Sequence, residues 1–162
     1  MRFEQLWEII LSDLKPKLEQ NQGLGIFASE RAKFEGWLKV ELCASLSKFV
    51  DDVVPERDRI DVTFRDWAIE LKTINTNYRF ENVKNKTRPI TKNIEGVIND
   101  IEKLSGSIYL NKAVLFVVFP LKHNDVFWKI HLEKIEQKLK ILKHSSFMFN
   151  NEILGDIYLG LL

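Results

Sequence analysis

Two carboxylates and a lysine, Asp61, Glu70 and Lys72, interrupt an otherwise apolar stretch at residues 59–72. Carboxylates a few ångström apart repel, so each becomes harder to ionise unless a cation lies between them. Oxygen donors suit Mg²⁺, with Mn²⁺ as a substitute, whereas no histidine and cysteine set in the chain has the spacing of a zinc site. A lysine beside such an ion can have a lowered pKa, or keep its charge and hold a water or a phosphate oxygen. These residue types predict metal-dependent phosphodiester hydrolysis.

The same stretch has the pattern of a β-hairpin whose two-residue turn is Arg65-Asp66. This register places Asp61 opposite Glu70, Val62 opposite Ile69, and Phe64 opposite Trp67. Because side chains alternate along a strand, one face is expected to carry Asp61, Thr63, Ala68, Glu70 and Lys72. The opposite, apolar face is expected to carry Ile60, Val62, Phe64, Ile69 and Leu71.

Positive charge is concentrated around this hairpin, although the net charge of the chain is only +1. Residues 57–92 hold 9 basic and 5 acidic side chains, an excess of +4. Lysines and arginines near phosphates release condensed counterions, so a phosphate-rich ligand would benefit from this excess. A solvated basic loop explains the charge equally well. The candidate DNA-binding residues are Arg79, Lys84, Lys86, Arg88 and Lys92.

Apolar periodicity predicts the elements around the hairpin. Helices are predicted at residues 2–14, from about Ser29 to Phe49, at 91–105 and at 126–143. Pro16 is expected to end or kink the first helix, Gly23 and Gly25 to form a loop, and Ser29 and Thr91 to cap the second and third helices. The last helix is expected to bury Phe127, Ile130, Ile135, Leu139 and Leu142. An exposed basic loop is predicted at residues 75–90, and a buried central strand at residues 113–119. Residues 147–162 are expected to form a hairpin or two short strands. This order predicts an α/β fold with a central mixed sheet flanked by helices on both faces.

Length and composition indicate a single domain. The 162 residues, 45% of them hydrophobic, are enough for a core without disulfides. The single cysteine, Cys43, cannot form an internal disulfide, which favours a reducing, cytoplasmic compartment. The chain has no secretory leader and no uninterrupted apolar run of membrane-spanning length, so no membrane association is expected.

Asp61 and the later Glu70-Leu71-Lys72 resemble the motif of the PD-(D/E)XK nuclease superfamily, which has the restriction-endonuclease-like fold. In this chain the proline of the motif is not adjacent to the acid, because Pro55 lies well upstream of Asp61. The family also tends to carry a glutamate on the helix before the hairpin. Glu35 and Glu41 both flank the apolar stripe of that helix, and only the resemblance favours Glu35.

The resemblance implies an αβββαβ core over residues 29–120, with a third core strand around Thr73 to Phe80. The single domain, residues 1–162, would then be a Mg²⁺-dependent endodeoxyribonuclease of restriction or of DNA repair and junction processing. Asp61, Glu70 and Glu35 would bind the metal, and Lys72 would position or activate water. A homodimer or a partner protein would supply specificity. The alternative is a non-catalytic nucleic-acid-binding or assembly module that retains the nuclease fold.

Overall fold

A mixed β-sheet with helices on both faces forms the protein, as the sequence predicts. The computed structural model describes residues 1–84 and 89–162, which contain six strands in one sheet. The helices are α1 (Phe3–Ile9), α2 (Lys15–Gln20), α3 (Gln22–Ser29), α4 (Glu35–Leu46), α5 (Ile90–Ser105) and α6 (Val126–Glu136). The strands are β1 (Val54–Pro55), β2 (Val62–Phe64), β3 (Trp67–Asn75), β4 (Asn111–Phe119), β5 (Ile141–Met148) and β6 (Leu154–Leu161). Their spatial order is β1-β2-β3-β4-β6-β5, and only β3 and β4 pair in parallel.

The predicted central strand is confirmed, because β4 is covered on both faces. Its alternate residues Ala113, Leu115, Val117 and Phe119 pack with the apolar side chains of α1 to α4. Residues Val114, Phe116 and Val118 point the other way, into a cluster with α5 and α6. An unbroken run of apolar residues is therefore what this position requires.

The N-terminal helices differ from the prediction. Pro16 does not end the first helix, because a π-helical turn at Ile10–Leu14 connects α1 directly to α2. A π-turn shifts the hydrogen-bonding pattern by one residue, so a proline just after it costs little. Gly23 and Gly25 lie inside α3 rather than in a loop, since the Asn21 side chain caps this helix by accepting from the Leu24 N–H.

The second predicted helix begins later than expected. Ser29 is the last residue of α3, and α4 starts only at Glu35. Between them Arg31 has a φ of 53°, a left-handed conformation that a continuous helix cannot contain. Thr91, predicted as the cap of the third helix, lies inside α5, whose N-cap is Pro89.

The C-terminal region is the largest departure. The predicted helix at 126–143 ends at Glu136, and β5 starts at Ile141 and forms a hairpin with β6. Phe127 and Ile130, expected in the core, are 70% and 53% exposed. Trp128 is buried instead, and its indole N–H donates to the Tyr158 hydroxyl at 2.8 Å.

The third core strand predicted at Thr73 to Phe80 is not found in the described part of the chain. Strand β3 continues through Asn75, and beyond it Phe80 forms only an isolated bridge with Val83. A third strand does pair with the hairpin, but it is β1, which precedes β2. The element order from α4 to β4 is therefore α-β-β-β-α-β. Among the helices of residues 1–84 and 89–162, none has the length and apolarity to cross a membrane.

Candidate active site

The hairpin has the predicted register. Strands β2 and β3 pair through Val62 with Ile69 and Phe64 with Trp67, and Arg65 takes a φ of 48° at the turn. The side-chain faces also follow the prediction except at Ile60, which packs with Ala68 and Leu104 on the α5 side. Ile60 departs because it follows a short 3-10 turn, Arg57–Arg59, so strand alternation does not extend back to it.

Two carboxylates cap the edge of β3 where its partner strand ends. Strand β2 begins only at Val62, which pairs with Ile69, so the part of β3 after Ile69 has backbone N–H groups with no strand beside them on this edge. The Leu71 N–H donates to Asp61 at 2.8 Å, and the Thr73 N–H donates to Glu35 at 3.0 Å. Asp61 comes from the loop before β2 and Glu35 from the first turn of α4. The free sheet edge thus brings two distant acids to one place.

Glu70 is the buried acid of this group, with only 4% of its surface exposed. Burial and the adjacent Asp61 carboxylate raise the pKa of Glu70 to about 7, against the opposing effect of Lys103. Burial alone would also raise the pKa of Asp61, but Lys39, protonated Glu70 and the Leu71 N–H lower it. Asp61 is therefore the ionised partner of the pair, and Glu70 is the partner that takes up a proton as the pH falls through about 7.

Two lysines that the motif did not indicate lie against these carboxylates. Lys39, one helical turn after Glu35, is 2.7 Å from Asp61, and it also contacts Glu56. These acids raise the pKa of Lys39 to about 12, although burial alone would lower it. Lys103 from α5 contacts the Glu70 carboxylate and the backbone oxygen of Arg59. An ammonium group thus lies against each side chain of the carboxylate pair in this conformation.

Lys72 lies on the α5 side of β3 and pairs with Asp100 at 2.8 Å. Burial would lower the pKa of Lys72, but Asp100, Glu35 and Asp61 together raise it. Of the two roles that the sequence left open, the structure favours a lysine that keeps its charge. Its Cε atom also lies close to Gly96 of α5, where an added Cβ would be 3.2 Å away.

The structure distinguishes between Glu35 and Glu41, the two candidates on the helix before the hairpin. Glu35 contacts the edge of β3, whereas Glu41 pairs with Lys17 at 3.0 Å on the side of α4 that faces the N-terminal helices. Glu35 is therefore brought to Asp61 and Lys72, and Glu41 is not.

The oxygen donors present are compatible with Mg²⁺, which is usually held by one or two carboxylates, with waters and phosphate oxygens completing its shell. Asp61 and Glu70 form such a pair, and a cation between them would offset the repulsion from Asp61 that, together with burial, raises the pKa of Glu70. No group of three or more acidic, histidine or cysteine side chains close enough to hold a metal occurs within residues 1–84 and 89–162. Glu35, expected as a third metal ligand, is thus not grouped with Asp61 and Glu70 in this arrangement.

The candidate DNA-binding residues fall on the segments beyond β3. Arg79 and Lys92 are exposed, and Lys84 is exposed but pairs with Glu30. Lys86 and Arg88 lie outside the described residues. The loop carrying Arg79 is anchored by buried Arg31, whose guanidinium donates to the backbone oxygens of Thr76, Tyr78 and Lys84.

The contributions of Lys39, Asp100 and Lys103 were not predicted from the sequence. Helical spacing alone offers a partial signal, because Lys39 follows Glu35 by four residues and Lys103 follows Asp100 by three. Which lysine meets which carboxylate depends on how α4 and α5 pack on the sheet. The chain matches no protein-family model, no well-characterised protein and no solved structure.

Proposed function

We propose that the protein is a Mg²⁺-dependent DNA nuclease with a restriction-endonuclease-like fold. The observation that carries the proposal is the contact between Asp61 and Glu70 beside Lys72, with Glu35 two residues further along the same free edge of β3. A resemblance based on a short motif would be weak, but these residues come from three separate segments. Their convergence is what a hydrolytic site requires and a solvated strand face does not.

The fold part of the proposal is supported by the element order around this site. Helix α4 supplies Glu35, the β1-β2-β3 ribbon supplies the other site residues, and α5 followed by β4 completes an α-β-β-β-α-β unit. The resemblance implies the same sequence of helices and strands, but with the third strand after Lys72 rather than before β2. Strand β1 is only two residues long, so the ribbon depends chiefly on β2 and β3.

Each residue then has a role in cleavage. Asp61 and Glu70 would hold Mg²⁺, which when bound supplies positive charge for the scissile phosphate and acidifies a water. Lys72, kept charged by Asp100, lies where it can orient that water or stabilise charge on the phosphate. Glu35 fixes the edge of β3 by accepting from both the N–H and the hydroxyl of Thr73. Arg79, Lys84 and Lys92 would contact the DNA backbone.

Cleavage assays with the full chain test this function. Plasmid, linear and branched DNA would be incubated with the protein in Mg²⁺ or Mn²⁺ and in EDTA. We expect metal-dependent cleavage that falls by about 100-fold or more in Lys72→Ala, the size typical of removing a group that stabilises charge in the transition state. Lys129→Ala, an exposed lysine on α6, is the matched control and should cleave normally. Activity that is unchanged in Lys72→Ala would refute the assigned role.

The second candidate is a non-catalytic nucleic-acid-binding or assembly module. The observation that favours it is the contact of Asp61 with Lys39 and of Glu70 with Lys103, because these ammonium groups occupy the place beside the carboxyl groups that a metal ion would take. Calorimetric titration with Mn²⁺ separates the two functions. Metal binding that is lost in Asp61→Asn supports the nuclease, whereas DNA binding with no metal binding supports the module.

A further inference from the structure

A pocket opens next to the candidate active site, on the other side of Lys103 from Glu70. Its volume is about 400 Å³, within the range of small-ligand sites, and it lies between the start of β2 and the segment that follows α5. Ile60, Ile108 and Tyr109 form its apolar wall, and Lys103 and Asp58 its polar rim. We call this cavity the Tyr109 pocket.

Lys103 connects the Tyr109 pocket to the candidate active site. Its ammonium group contacts the Glu70 carboxylate and the Arg59 backbone oxygen, and its side chain also lines the pocket. The pocket and the carboxylates are therefore separated by one side chain. A nucleotide whose phosphate lies at Asp61 and Glu70 would have a neighbouring base within reach of the pocket.

The chemistry of the pocket suits a nucleobase. The Tyr109 ring is oriented by its hydroxyl, which donates to Asp58 at 3.0 Å. Ile108 and Leu110 on either side are 89% and 85% exposed, so apolar surface is available next to the ring. Bases stack on aromatic side chains in a manner that tolerates any sequence, and their polar edges find donors and acceptors at a rim such as this one.

A base must be unpaired to enter such a pocket, because a base within a duplex has both faces stacked and its pairing edge occupied. Arg57 and Arg59 are exposed on the loop beside the pocket, against one acid at its rim, Asp58, so the local charge favours a polyanion over an apolar protein partner. Lys103, the remaining cation of the rim, is paired with Glu70.

We propose that the Tyr109 pocket binds an unpaired nucleobase next to the scissile phosphate, which makes single-stranded DNA, free or within a branched molecule, the substrate class. This inference rests on the proposed nuclease function for the phosphate position. The base contact itself needs no metal, so it is measurable separately from cleavage.

The test is fluorescence anisotropy of the full-length protein with a labelled single strand and with the same sequence as a duplex, both in EDTA. Stacking on one aromatic ring contributes about 1–3 kcal/mol, so Tyr109→Ala should weaken single-strand binding by about 5- to 150-fold. Duplex binding should not change. Tyr109→Phe keeps the ring and is the matched control, expected within about 3-fold of the native protein. Ile108→Glu changes a fully exposed side chain, so it keeps the fold while adding a charge that opposes the strand.

Equal binding of single strand and duplex that neither Tyr109→Ala nor Ile108→Glu alters would overturn the inference. A change of oligomeric state in Ile108→Glu by sedimentation would also overturn it, because a second copy of the chain would then be the occupant. Metal-dependent cleavage of duplex DNA alongside either result leaves the nuclease function intact. Conversely, Tyr109-dependent single-strand binding without any cleavage supports the pocket and contradicts the nuclease.

Discussion

Glu70→Gln isolates the energetic cost of burying an acid beside Asp61. The folded protein raises the pKa of Glu70 from 4.5 to about 7, so in this window the native state holds a proton that the unfolded chain releases. Stability from this group is fully present below pH 4.5 and is lost as the pH rises through 7. A shift of this size corresponds to at most about 3 kcal/mol. The pKa of Asp61 is lowered by Lys39, Glu70 and the Leu71 N–H, so Asp61 stays ionised and its contribution is constant over the same window.

The assay is urea unfolding in EDTA at pH values from 5 to 8.5. We expect Glu70→Gln to be close to the native protein near pH 5 and more stable by up to about 3 kcal/mol at pH 8.5, because glutamine never ionises. Glu133→Gln, at an exposed position on α6, is the control for a generic loss of negative charge. Parallel stability curves for the native protein and Glu70→Gln would refute the proposed burial of a protonated acid.

Two further predictions concern the supports of the site. Gly96→Ala should raise the unfolding free energy by about 0.5–1 kcal/mol in urea unfolding, because alanine is favoured inside a helix. It should also lower kcat several-fold, since the new Cβ would lie 3.2 Å from Lys72 Cε, and an unchanged kcat would contradict a role for the Lys72 position. Arg31→Ala should cost about 3 kcal/mol, because the backbone oxygens of three loop residues lose their buried donor. Thermal unfolding measures this cost, and a loss below about 1 kcal/mol would contradict it.

Local patterns were sufficient to predict the centre of the protein. The hairpin register follows from alternation around Arg65-Asp66, and the continuous apolar run at 113–119 required a strand covered on both faces. The first signal depends only on neighbouring residues in the chain. The second depends on burial, which a continuous run of apolar residues indicates directly.

The prediction was wrong where tertiary packing, and not the local hydrophobic pattern, decides whether a segment is a helix or a strand. At 126–143, apolar residues at helical spacing concealed the start of an edge strand at Ile141, whose pairing with β6 takes precedence over helical propensity. Arg31, whose left-handed backbone separates α3 from α4, is held by its guanidinium group, which donates to backbone oxygens far along the chain. No local sequence pattern contains these contacts. The lysines at Asp61 and Glu70 were missed for the same reason, because they belong to helices on opposite faces of the sheet.

The most direct test of the central claim is Mn²⁺-dependent DNA cleavage by the native protein, Asp61→Asn and Asp51→Asn. The two variants make the same chemical change, one at the carboxylate that caps the Leu71 N–H and one at an exposed bend. We predict cleavage by the native protein and by Asp51→Asn, and a loss of at least about 100-fold in Asp61→Asn. Equal cleavage by all three proteins, or none by the native protein, would contradict a metal-dependent nuclease site at Asp61 and Glu70.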